Sequence, residues 1–382
     1  VISQFFCTSL WFAGNGVMND LIQLFHLDQN ALGHLTSAVQ FGFIIGTLAF
    51  AIFTIADRFS PSKVFMLCAL LGAGANLSIA WGQHGMYSLT AIRFMTGFFL
   101  AGIYPVGMKI AADHFDKGLG KSLGFLVGAL VLGTAFPHAI KGFGASLPWK
   151  SVLFITSSLA TLGGLLMGLL VPDGPHRRAG QQLNPSAFFK VFANRRFRVA
   201  AFGYFGHMWE LYAFWAFVPL MLEQYVGQHG ELALNNSMLA FLIVAIGAPA
   251  CVIGGLLSQQ IGAKKVALTA LICSGICCLA SPLFFEINSP LLFLTCLFFW
   301  GFMVIPDSPL FSSLVAQNAE ANVKGTALTI VNCLGFAITI VSIQLLSLAH
   351  EHFDRGYIYL ILAIGPLAGL LSNVMERKNQ PQ

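Results

Sequence analysis

Apolar runs long enough to cross a bilayer recur along nearly the whole chain, separated only by short polar breaks. A spanning helix needs roughly 20 apolar residues, and the sequence offers about twelve such stretches, approximately at 1–25, 32–55, 63–83, 86–113, 119–144, 149–171, 199–226, 234–258, 264–286, 288–317, 323–349 and 355–376. Only 9% of the 382 residues are charged, against roughly 25% in an ordinary soluble chain. A soluble fold of this size could not cover itself with so few charges, which excludes a soluble enzyme or a nucleic-acid-binding protein. The expectation is an all-α polytopic membrane protein with the lipid bilayer as its solvent.

Residues 172–198 form the longest polar break, opening on Pro172, Asp173, Gly174 and Pro175 and rich in Arg. They divide the chain into an N-terminal bundle of six helices (1–171), a basic linker (172–198) and a C-terminal bundle of six (199–382). Arg58, Lys63, Lys117, Lys121, the basic residues of the linker, Lys264, Lys265, Lys324, Arg377 and Lys378 fall on one side of this topology. Lys141, Lys150 and Arg355 fall on the other. Because basic loops stay on the cytoplasmic side, linker and C-terminus are expected in the cytoplasm of a plasma membrane, the inner membrane of a bacterium. An odd helix count would put those two basic ends on opposite sides. Val1 stands inside an apolar run, so a further N-terminal stretch is expected upstream. The eight cysteines all lie in apolar runs without a CxxC pair, as small hydrophobes rather than zinc or redox ligands.

The halves carry a repeat. Ala56, Asp57, Arg58, Phe59, Ser60, Pro61, Ser62, Lys63 and Val64 align without gaps on Ser258, Gln259, Gln260, Ile261, Gly262, Ala263, Lys264, Lys265 and Val266. Both stretches are turns after the second helix of a half, and both end in Lys-Val. Twelve helices in two halves, a basic central loop and this turn resemble the major facilitator superfamily over essentially the whole chain. Its loop signature is matched by Asp57, Arg58 and nearby Lys63 in the first half, with Phe53, Ser60 and Pro61 departing from it. Gly255, Gly262 and Lys264 match in the second half, where Gln259 replaces the acid. Arg93 and Gly97 are similar to the family's Arg-x-x-x-Gly element. Gly124, Gly128, Gly133 and Pro137 resemble its Gly-Pro element, but irregular spacing and Phe136 argue against inferring exchange from it.

A charge inside a spanning helix costs roughly 2.5–3.5 kcal/mol on insertion scales and is a functional candidate by default. Arg93, Glu210, Asp307 and, nearer a membrane face, Asp20 meet this description. They sit on helices four, seven, ten and one, the set that the resemblance implies lines a central cavity. Arg93 has the planar fork for an anionic group, and Glu210 or Asp307 could hold a coupled proton. The alternative is that Arg93 pairs with one of these acids only to lock the halves together. His207 and Glu210, three residues apart on one helix face, suggest a proton relay against the simpler reading of a packed histidine. Trp209, Tyr212 and Trp215 are candidates for stacking on a substrate, as is Trp11, with Asn15 four residues on and Asn19 beyond. Tyr104 lies three turns beyond Arg93 on nearly the same face. Gln40, His138 and Asn332 are read chiefly as interhelical hydrogen-bonding groups, and Lys109 and Asp113 as gate or surface charges.

Pro306, Asp307, Ser308 and Pro309 predict a broken helix carrying an acid, because two prolines remove two ladder donors. Irregular backbone in a bilayer persists where it lines a cavity or is buried by protein. Asp57, Arg58 and Lys63 are expected to act as a conformational gate by pairing across the cytoplasmic face. His350, Glu351, His352 and Asp354 cluster loosely, but no metal is expected there or elsewhere. HExxH, GxSxG and Walker A patterns are absent, so no enzyme and no cofactor is expected.

The leading expectation is a secondary transporter, functional as a monomer, that moves a small polar, anionic organic solute by alternating access with protons as coupling ion. Export of amphipathic compounds through an aromatic cavity and a non-transporting receptor or scaffold are the alternatives. The stretch from Trp209 to Pro219 is faintly similar to cyanate- and nitrate-type members. Helix eight has no Arg, however, and the nitrate signature is missing.

Overall fold

The computed structural model describes residues 1–382 apart from 29, 116–118, 144–146, 178–186, 231, 233, 321–322, 354–355 and 379–382. Lys117, Arg178, Asp354 and Arg355 therefore lie outside the described residues. The described chain is helical with no strand, as expected where the only partners for backbone polar groups are within the same segment. Nine of the described helices are long and apolar enough to cross a membrane. The first, third and seventh segments complete a set of twelve. The third is short (Pro61–Ser78), and the seventh, Arg195–His229, carries arginines at its start and His207 and Glu210 along its length.

Several segments are interrupted where one continuous helix was expected. The first consists of Ile2–Thr8 and Met18–Phe25, joined by turns and a short 3-10 stretch, Asn15–Val17. Gly14, Asn15 and Gly16 explain this locally, since Gly and Asn weaken a helix interior. The fourth divides into Met86–Leu100 and Tyr104–His114, so Arg93 and Tyr104 do not share one regular helix. The eighth divides into Asn236–Ala245 and Gly247–Ile261. The tenth divides into Pro290–Met303 and Asp307–Asn318. The expected break is there, over residues 304–306 immediately before the acid. Pro309 then falls in the first turn of the second piece, where a missing N–H is tolerated. The seventh helix begins at Arg195 rather than 199, and a short helix, Ala187–Ala193, precedes it within the basic break.

The repeated turns have the same place but different backbone. In the first half Thr54 takes φ 49° and leads into a single helical turn, Ile55–Arg58. In the second half Gly262, at φ 93°, passes straight into the ninth segment, Ala263–Glu286.

Packing within each half relies on backbone proximity. A methyl on Gly97 would overlap the Val39 carbonyl, and one on Gly42 would overlap the Phe94 carbonyl, so the second and fourth segments touch backbone to backbone. Gly206 and Gly365 do the same for the seventh and twelfth. Small residues permit such approach where lipid gives helices no hydrophobic reason to associate. Leu169, Leu170, Ile276 and Leu283 are exposed apolar side chains on the outside of the bundle. Across the halves, the second segment packs against the eleventh (Lys324–His352) and the fifth (Leu119–Phe143) against the eighth.

Candidate functional site between the two halves

The interruption of the first segment frees main-chain carbonyls, and Arg93 takes two of them. Its Nη1 donates to Leu10 O at 3.3 Å and its Nη2 to Trp11 O at 2.5 Å. Gly14 lies against the guanidinium, and the side chain is 1% exposed. The fork that was expected to face a solute is thus aimed at backbone of the same half. Arg93 pairs with neither Glu210 nor Asp307.

Both acids are enclosed among the last six segments. Asp307, at the start of the second helical piece of the tenth segment, has Oδ1 2.8 Å from Nδ1 of His207 on the seventh. Glu210, one turn along from His207, accepts from Trp300 Nε1 at 2.6 Å and from Ser274 Oγ at 2.8 Å. The shared helix face of His207 and Glu210 therefore does not join them, because each finds a partner on another segment. Trp300 and Ser274 were not anticipated. An indole and a hydroxyl inside apolar runs give no local signal that they face an acid.

Aromatic side chains meet where the halves meet. Trp11 of the first segment stacks on Tyr212 of the seventh, centroids 5.6 Å apart at 26°, and on Phe336 of the eleventh at 5.8 Å and 25°. Phe43 completes the contact with Trp11 at 4.9 Å. Trp215 stands 5.3 Å from Tyr212 and 6.4 Å from Phe12. Trp209 is not part of this group: its Nε1 donates to Ile361 O at 2.8 Å, and it packs on Gly365 of the twelfth segment. Asn15 donates to Thr36 Oγ1 at 2.7 Å. Tyr104 is half-buried against the main core. Asn332 accepts from Tyr204 OH at 3.0 Å.

The two faces differ. On the face opposite the linker, the halves are tied by Asn19 to Glu223 at 2.8 Å, Asn30 to Glu351 at 2.8 Å, Gln344 to Ser37 at 2.8 Å and Asn235 to Gly142 O at 2.9 Å. Asp20 is held there within its own half by Lys141 at 2.7 Å. On the linker face, a cavity of about 300 Å³ opens between the halves, lined by Thr47, Phe50, Asp57, Pro105, Lys109 and Thr326 among others. Asp57 pairs with Lys109 at 3.0 Å, a partner in its own half rather than across the face. Arg177 from the linker donates to the carbonyls of Asp57 and Phe59. Arg58 and Lys63 are exposed. Hydrogen bonds thus join the halves opposite the linker, while a cavity separates them on the linker face.

A larger depression of about 800 Å³ lies among the last six segments, lined in part by Gln228, Glu286, His350, Glu351 and His352. Among the described residues no group of three or more His, Cys, Asp or Glu could hold a metal ion.

The sequence profile described as Major Facilitator Superfamily matches residues 1–374. The chain belongs to the major facilitator superfamily. It is therefore an integral membrane transporter and not an enzyme. No curated protein matches the chain in sequence. Solved members of the superfamily share its fold. A D-xylose-proton symporter superimposes with a TM-score of 0.78 at 15% identity, covering 97% of this chain and 95% of that one. A proton:xylose symporter bound to 6-bromo-6-deoxy-D-glucose gives 0.72 at 14% identity, covering 100% and 94%. At such identities the likeness is one of fold.

Proposed function

We propose that this superfamily member is a secondary active transporter of a small polar solute, coupled to protons through the His207–Asp307 pair and Glu210. Two rigid bundles, residues 1–171 and 199–382, would rock about the stacked aromatics while the 172–198 linker follows, with linker and C-terminus in the cytoplasm by the distribution of basic residues.

One observation carries the reading. The seventh segment bears both the buried acid contacts, His207 to Asp307 and Glu210 to Trp300, and the rings of Tyr212 and Trp215 that meet the other half. A change in protonation at the acids alters the packing of the same helix that closes on Trp11. Proton binding and closure can therefore share one free energy, which is what coupling requires. Both structural neighbours are named for proton-linked solute transport, which agrees with protons as the coupling ion.

The test needs no knowledge of the solute. Spin labels at the ends of the second and eleventh segments opposite the linker, in lipid nanodiscs, should report two distance populations whose ratio shifts with pH. Asp307→Asn should abolish the shift. A single distribution indifferent to pH in the unsubstituted chain would refute both alternating access and proton linkage.

A further inference from the structure

Five uncharged polar side chains around the stacked aromatics are buried without a hydrogen-bond partner for at least one polar atom. These are Trp11 Nε1, Asn15 Oδ1, Gln40 Oε1 and Nε2, His138 Nε2 and Trp215 Nε1. Each residue is at least nine-tenths buried. They come from the first, second, fifth and seventh segments, and their neighbours place them together. Trp11 and Asn15 are one turn apart in sequence. Asn15 is bonded to Thr36, one turn from Gln40, which in turn is one turn from Phe43 against Trp11. Trp215 reaches the group through Tyr212 and Phe12. His138 follows Pro137, which lies against Gly16, next to Asn15.

A buried polar group left without a partner is destabilising, so a cluster of them calls for an occupant. Their chemistry is specific: two indole N–H donors, an amide with a donor and an acceptor, an amide carbonyl acceptor, and a ring nitrogen able to serve as either. None carries a fixed charge. Arg93, whose fork reaches the backbone of Trp11 itself, is engaged by two carbonyls. Glu210 is answered inside its own half by Trp300 and Ser274, whereas Asp307, 2.8 Å from His207 Nδ1, keeps both carboxylate oxygens without a hydrogen bond. An anionic solute entering here would find Arg93 already engaged, in a water-poor setting where an unpaired ion is far more costly than an unpaired dipole.

We infer that the solute is not an anion and carries both hydrogen-bond donors and acceptors on a body that can lie against Trp11 and Tyr212, recognised by the Trp11, Asn15, Gln40, His138 and Trp215 polar atoms when the halves part. This rests on the proposed transport reading and replaces the anionic solute expected when Arg93 was read as a free fork.

The experiment uses the full chain in detergent or nanodiscs and matched probes that differ in charge: D-glucose against D-gluconate, uracil against orotate, and nicotinamide against nicotinate. Thermal stability and indole fluorescence are followed on titration. At least one neutral member should raise Tm saturably and perturb the fluorescence while its anionic twin does neither. Gln40→Leu should weaken that binding about tenfold, the equivalent of one good hydrogen bond, yet leave the ligand-free Tm unchanged or higher, since it removes an unanswered buried amide. Gln40 with a purely structural role would instead lower the ligand-free Tm. Stabilisation by an anionic member alone, silence across all neutral members, or unaltered neutral binding in Gln40→Leu would each overturn the proposal. Because these readouts record binding, their failure is distinct from failure of the pH-dependent distance shift, which bears on transport itself.

Discussion

His207 Nδ1 lies 2.8 Å from Asp307 Oδ1, a contact between residues 100 positions apart that ties the seventh segment to the interruption of the tenth. Both side chains are essentially inaccessible, and Asp307 opens a helical piece, so its carboxylate also benefits from the partial positive charge of a helix N-terminus.

Asp307→Asn removes the carboxylate that faces His207 but keeps the shape. In proteoliposomes holding whichever solute binds, the variant should lose accumulation driven by a pH gradient while retaining solute exchange. Normal gradient-driven accumulation would remove Asp307 from the coupling.

Glu210 receives two donors, so replacement by Gln leaves one oxygen for Trp300 or Ser274 and confronts the other with an N–H. The Ser274 hydroxyl can rotate to accept, whereas the indole cannot. Glu210→Gln should therefore be tolerated with Tm slightly reduced, and Glu210→Ala should be the more damaging, by about 1–3 kcal/mol for the stranded Trp300 donor. Differential scanning fluorimetry of both variants checks the order.

Arg93 is the counterpart in the first half, and its role in this conformation is to hold the interrupted first segment. Arg93→Ala should lower Tm, with about 1.5–3 kcal/mol at stake for each charged hydrogen bond lost. Arg93→Lys, which keeps the charge but not the fork, should recover only part of it. An unperturbed melting curve for Arg93→Ala would show that the two carbonyls need no such partner.

Asn30 and Glu351 join the halves on the face opposite the linker, where Ser347 also donates to Asn30. Asn30→Ala should favour the conformation open on that face. Hydrogen–deuterium exchange at the start of the second segment and the end of the eleventh should quicken, by about tenfold at most for one or two exposed bonds. Unchanged exchange would mean that these bonds do not limit opening.

Gly97→Ala puts a methyl where the Val39 carbonyl lies. Separation of the second and fourth segments should cost about 1–3 kcal/mol, seen as a lower Tm and reduced yield of monodisperse protein. Gly124→Ala, with nothing near its added methyl, is the control.

Much of this was legible in the chain itself. The number and order of apolar runs, the basic break near 172–198 and the break set by Pro306 and Pro309 follow from local rules: a bilayer demands self-satisfied apolar helices, and proline cannot donate. The interruption of the first segment had a local signal too, in Gly14, Asn15 and Gly16. Which polar residues met was not legible. Arg93, Glu210 and Asp307 share the property of being ionic in apolar runs, and sequence spacing alone could as well have paired them with each other.

Partnership between segments depends on how helices rotate about their axes and how closely they approach. Glycine contacts such as Gly97 with Val39 and Gly206 with Gly365 set this across tens to hundreds of residues. That packing turned Arg93 towards the carbonyls of Leu10 and Trp11, sent Trp209 to the twelfth segment, and left Trp11 facing Tyr212 across the halves. The sequence by itself determined that the chain spans a membrane in twelve segments and where its scarce charges lie along them. Only the tertiary structure decided which charges are answered and which neutral groups are left to receive a solute, because a buried polar group takes its meaning from the atom placed opposite it.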